Sequence, residues 1–112
     1  MRVAVVGSRS ITDYAIVIAA IKESKFKPTA ILSGGARGVD ALAKRYAKEH
    51  GIKYEEFLPD WSLGRKAGPI RNVEMLHTAE ALVAVWDNKS RGTLNSISLA
   101  TLKGMPLYVK GV

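Results

Sequence analysis

The sequence predicts an α/β protein: a parallel sheet of about five strands in the order 3-2-1-4-5, with helices on both faces. Three observations predict it. Short continuous apolar runs recur along the chain, as strands buried on both faces require. Between them lie segments whose apolar residues keep helical spacing. The two kinds of segment alternate as βαβαβαβαβ, and right-handed crossovers leave few topologies for such an alternation.

Val3-Ala4-Val5-Val6 is the first strand and stops at Gly7. Thr12 or Asp13 can cap a helix in which Tyr14, Val17, Ile18 and Ile21 share one face. Lys25 to Pro28 break it. Thr29-Ala30-Ile31-Leu32 is the second strand, ended by Ser33-Gly34-Gly35. Val39, Leu42, Ala43 and Tyr46 mark a second helix, with Gly51 at its C-terminal cap. Lys53 to Leu58 reads as a third strand, and Glu55 and Glu56 place it at a sheet edge. Pro59 to Gly68 reads as a long loop, and Pro69 as the first residue of a helix reaching Thr78. Ala81-Leu82-Val83-Ala84-Val85-Trp86 is the most apolar strand. Asp87 to Gly92 turn into a fourth helix, Thr93 to about Lys103, and Leu107-Tyr108-Val109 is the last strand.

The 112 residues suit one domain, 1–112, able to bury one core. The absence of cysteine excludes a disulfide scaffold, a thiolate metal site and a cysteine nucleophile. It also suits a reducing, cytoplasmic setting. The longest apolar run, Ala15 to Ile21, is far shorter than the ~20 residues that cross a bilayer, so no membrane partner is expected. Met1-Arg2-Val3 leads straight into a strand, so no signal or transit peptide is expected. The two histidines form no ligand motif, so neither a metal nor a cofactor is expected.

The net charge is +7, from 17 Lys and Arg against 10 Asp and Glu. That balance suits an anionic partner or a plain solvated surface, and position separates the two. In an open parallel sheet, ligands bind beyond the carboxyl ends of the strands. The loops expected there carry Arg9, Arg37, Arg65, Lys66, Lys89 and Arg91, with Arg71 just inside the third helix. Ser33-Gly34-Gly35-Ala36-Arg37-Gly38 joins a buried strand to a helix, where backbone N–H groups and the helix dipole can hold a phosphate. A tight turn for close helix packing would use the same glycines. Asp40, in the first turn of that helix, can complement the dipole, orient the loop or accept a ligand hydroxyl. Gly7-Ser8-Arg9 offers a hydroxyl and a guanidinium fork, and Gly92-Thr93 opens the fourth helix in a second glycine turn, with Thr93 an alternative N-cap. Trp61, beside Asp60, can stack on a base or cover the sheet edge. Arg71-Asn72 starts the third helix on the same rim, and an arginine there opposes the dipole.

Gly7-Ser8-Arg9, Ser33 to Asp40, Pro59-Asp60-Trp61, Gly68-Pro69-Ile70-Arg71-Asn72 and Trp86-Asp87 with Ser90-Arg91-Gly92-Thr93 come in one order that resembles the YspA, YpsA-related branch of the SLOG superfamily, relatives of the LOG and DprA proteins. The resemblance implies a Rossmann-like fold, often dimeric, that binds nucleotides or nucleotide-derived ligands. LOG enzymes cleave the base from nucleoside monophosphates with an Arg and a Glu. Arg71 matches that Arg, whereas Ser96 stands where the Glu belongs.

The expected function is therefore binding of a phosphorylated nucleotide or an ADP-ribose-like molecule. Gly34, Gly35, Arg37 and Gly38 would cradle one phosphate, and Gly7, Ser8, Arg9, Gly92 and Thr93 a ribose or second phosphate. Asp60 and Trp61 would meet the base and Arg71 neutralise charge, with Ser33, Asp40 and Asn72 completing the site. One alternative is a LOG-like N-glycosidic hydrolase, with Arg71 and Asp87 as catalytic residues. A second is DprA-like binding of single-stranded nucleic acid. Leu94, Ile97, Leu99, Ala100 and Leu102 make the fourth helix apolar on more than one face, which predicts a homodimer.

Overall fold

Continuous apolar runs need cover on both faces, and the chain supplies it by laying its first two helices on one side of the sheet and its last two on the other. The computed structural model describes residues 1–112. Strands β1 (Arg2–Gly7), β2 (Ala30–Ser33), β3 (Lys53–Glu56), β4 (Ala81–Trp86) and β5 (Leu107–Gly111) form an all-parallel sheet in the order 3-2-1-4-5. Helices α1 (Tyr14–Ser24) and α2 (Val39–Glu49) cover one face, α3 (Ala67–Thr78) and α4 (Arg91–Leu102) the other.

The pleat divides each strand between two cores. Val3, Val5, Ile31, Val83 and Val85 meet Val17, Ile21, Val39 and Ala43 on the α1–α2 side. Ala4, Val6, Leu32, Leu82 and Ala84 meet Met75, Leu76 and Ala100 on the other. Each fully buried Val, Leu or Ile contributes roughly 1.5–3 kcal/mol. The strand reading is confirmed, and β3 lies at the edge.

Boundaries differ where a cap outweighs apolar spacing. The expected loop from Pro59 to Gly68 contains a 3-10 helix, Trp61–Lys66, opened by an Asp60 side-chain cap and bent at Gly64. Helix α3 starts at Ala67, two residues before Pro69, because the buried Ala67 continues straight from that turn. Strand β3 stops at Glu56, short of Leu58. Thr93 is not the cap of α4: Ser90 holds that position and its Oγ accepts the Thr93 N–H.

No helix is long and apolar enough to cross a membrane. The chain runs outward through β1, β2 and β3, then returns to lay β4 on the other side of β1. That reversal opens a crevice at the carboxyl ends of β1 and β4, the usual ligand position in such sheets.

Candidate functional site

The six buried polar or charged residues are Ser8, Ser33, Asp40, Asn72, Thr93 and Ser96, and every one lies at the carboxyl-end rim or in the first two turns of α2, α3 and α4. Burying such groups costs free energy unless they are hydrogen-bonded, so their concentration at one end marks a built site.

The turn after β1 begins at Gly7, where a Cβ would overlap the Val39 side chain and the Val85 carbonyl. Glycine therefore lets α2 settle onto β1. Ser8 faces inward: its N–H donates to Val85 O at 3.1 Å, and its hydroxyl accepts the Asp87 N–H at 3.0 Å. It ties two rim turns together and does not line the open site. Arg9 stays exposed.

The turn after β2 is packed shut around its glycines. A Cβ on Gly34 would strike the Arg71 guanidinium. Gly38 has φ +76°, and a Cβ there would lie 2.5 Å from the carbonyl oxygens of Ser8 and Arg9. Asp40 Oδ2 accepts the Ala36 N–H at 3.2 Å, so the carboxylate holds the turn's shape. Burial pushes the Asp40 carboxyl above its ordinary range, and the Ala36 amide and the Arg71 guanidinium pull it partly back. The Ser33 hydroxyl is buried without a hydrogen-bond partner.

Arg71 and Asn72 brace three rim segments. Arg71 Nη1 donates to Gly34 O at 2.8 Å and to Phe57 O at 3.2 Å. Its Nε donates to Asn72 Oδ1 at 2.9 Å. Asn72 Nδ2 reaches Asn95 Oδ1 at 2.9 Å and Gly92 O at 3.5 Å on α4. Half-buried, the guanidinium is pulled below its ordinary basicity by desolvation. Two strand-end carbonyls offset its unfavourable place near the start of α3.

The turn after β4 is closed by Asp87, whose Oδ1 accepts the Lys89 and Ser90 N–H groups, both at 2.8 Å. Those two amides hold its carboxyl below the ordinary range. Trp86 Nε1 donates to Ser90 O at 3.0 Å, so this indole fastens the turn. A Cβ on Gly92 would meet nothing within 4 Å.

These turns enclose a hollow of about 450 Å³. Gly7, Arg9, Gly34, Arg37 and Asp40 line it from the β1 and β2 side. Arg71, Asn72, Asp87, Gly92 and Thr93 line it from the other. Three arginines thus line one hollow where α2 and α4 begin, and helix N-termini carry positive partial charge. Ser33, Gly35 and Gly38 do not line it. Asp60 lies apart, its Oδ1 accepting the Ser62 N–H at 3.1 Å and hydroxyl at 2.6 Å. Trp61, 63% exposed, borders a smaller hollow of about 300 Å³ that shares Arg9, Arg71, Asn72 and Gly92 with the first.

Sequence reasoning missed Ser10, Ser90 and Asn95. Ser10 Oγ donates to Asp87 Oδ2 at 3.4 Å. Ser90, three residues before Thr93, carried a cap signal of its own. Asn95 stands among Thr93, Ser96 and Ser98 in α4, so nothing in the sequence set it apart.

A family model described as the YspA, cpYpsA-related SLOG family matches residues 1–64. The chain belongs to that family. The SLOG match takes in the turns after β1 and β2 and ends before Arg71. The Gene 61 protein of Mycobacterium phage D29 is similar along nearly the whole chain: it is 32% identical over 118 residues, covering 95% of this chain and 93% of the relative. No solved structure matches the chain.

Proposed function

We propose that the protein binds a phosphorylated nucleotide or nucleotide-derived molecule in the rim hollow. One observation carries this reading: Arg9, Arg37 and Arg71 line one hollow of about 450 Å³ beside the first turns of α2 and α4. Anions are favoured at such termini, and guanidinium forks match phosphate oxygens. A volume in this range suits a small ligand. SLOG membership supports the nucleotide class. Titration calorimetry with nucleoside monophosphates, cyclic nucleotides and ADP-ribose tests it. Heat that saturates at one site per chain is expected; no heat with any of them overturns the reading.

Binding is favoured over LOG-like cleavage by the state of the carboxylates. Ser96 lines the hollow where the LOG pattern has Glu, its hydroxyl donating to Gly92 O at 3.4 Å. The two carboxylates that line it, Asp40 and Asp87, already accept backbone N–H groups. Neither stands free to steady an oxocarbenium-like transition state. AMP is therefore expected to stay intact on long incubation, and released adenine would reverse the choice. A homodimer is proposed on the exposed Ile70 and Val73 of α3 with Leu94 and Leu102 of α4; light scattering reads its mass.

A further inference from the structure

We propose that the smaller hollow is the base subsite of this ligand, and that it selects a purine bearing a carbonyl at position six over adenine. The proposal rests on the nucleotide reading above and adds the identity of the base.

A relay of polarity fixes what Asn95 offers. Arginine has only donors. The Asn72 atom 2.9 Å from Arg71 Nε must therefore be its carbonyl oxygen, Oδ1. Asn72 then turns its Nδ2 donor toward Asn95 at 2.9 Å. The Asn95 atom that receives it must be Oδ1, which leaves the Asn95 NH₂ for the hollow it lines. Each link polarises the next.

The other polar side chains on this hollow that reach beyond the relay are Arg9 and Arg91, donors again. Asp60, the carboxylate next to Trp61 in the chain, is tied to Ser62 and does not line the hollow. The subsite therefore combines an exposed indole with side-chain donors and no free side-chain acceptor. The indole stacks on any base, so it supplies affinity without choice. The donors supply the choice. Guanine presents O6 and N7 acceptors side by side, and hypoxanthine shares that edge. Adenine keeps N7 but replaces O6 with an N6–H₂ donor, which would face a donor and leave it unpaired. This narrows the ligand class away from adenine compounds.

Titration calorimetry with GMP, IMP, AMP and ribose 5-phosphate tests the proposal on the unaltered protein. GMP and IMP are expected to bind alike and about tenfold or more tighter than AMP, in line with the discrimination of a good bidentate pair. Asn95→Asp keeps an acceptor toward Asn72 and turns an acceptor outward, so it should erase or invert that ratio; melting curves show whether it folds. Trp61→Ala should weaken GMP and IMP about fivefold or more and leave ribose 5-phosphate unchanged. AMP binding as tightly as GMP and IMP overturns the proposal. So does ribose 5-phosphate binding as tightly as all three nucleotides, and either result leaves the phosphate reading standing. No binding by any of the four, ribose 5-phosphate included, overturns the nucleotide reading and this inference with it.

Discussion

The turns after β2 and β4 both deliver glycine to a helix N-terminus on the same rim, and the glycines answer opposite demands. Around Gly34 and Gly38 every direction a side chain would take is filled, by the Arg71 guanidinium in one case and by two backbone carbonyls in the other. Around Gly92 the same direction is empty. The carboxylates contrast as well. Asp40 is buried behind its turn and pushed upward, whereas Asp87 is solvated, holds its turn with two amides and is pulled downward. A glycine-rich turn in a sequence therefore does not reveal whether its glycines serve the framework or leave clearance for a ligand.

The strongest way to break this comparison is Gly38→Ala. A positive φ and two carbonyls at 2.5 Å leave the methyl no place. The loss should be about 3 kcal/mol from strain and collision together, read as a lower urea midpoint at unchanged slope. A loss below ~1 kcal/mol would mean that the β2 turn is as open as the β4 turn.

A smaller effect sharpens the carboxylate contrast. Because the folded chain holds the Asp40 proton more tightly than the unfolded chain, this residue's contribution is most favourable below the ordinary carboxylate range. It declines as pH rises through the raised value. Asp87 has the opposite sign: its contribution is present above the ordinary range and is lost as pH falls through the depressed value. Asp40→Asn should therefore make stability rise more steeply with pH, and Asp87→Asn less steeply. Urea midpoints from acid to neutral pH test both, and slopes that move together would remove the distinction.

The smallest effect on stability should be a gain. Gly92→Ala adds a methyl in open space at the start of α4 and should stabilise by about 0.5 kcal/mol. The same methyl intrudes on both hollows, so nucleotide affinity should fall while the melting temperature rises. Unchanged affinity would show that the Gly92 opening is not ligand space.

Much of the rim was legible residue by residue. Gly34, Arg37, Arg71 and Gly92 were named from turn chemistry, and all four line the hollow. The orientation of Ser8 was not legible, because a serine after a strand looks the same whether its hydroxyl faces a ligand or, as here, accepts the Asp87 N–H. Asp60, expected to meet a base, lies outside both hollows, because an Asp-x-Ser cap is a local feature that competes with a ligand role. The brace from Gly34 through Arg71 and Asn72 to Asn95 was invisible, since its long links span 37 and 23 positions along the chain.

Alternation of short apolar runs with amphipathic segments by itself determined the parallel sheet and the rim that holds the strand-end loops, and it narrowed the strand order to a few that include 3-2-1-4-5. These follow from local periodicity and from the handedness of crossovers, both written into neighbouring residues. Only the tertiary structure decided which polar groups are consumed in holding the rim together and which remain for a ligand. That division depends on hydrogen bonds between distant turns, and a donor's partner is chosen by proximity in space.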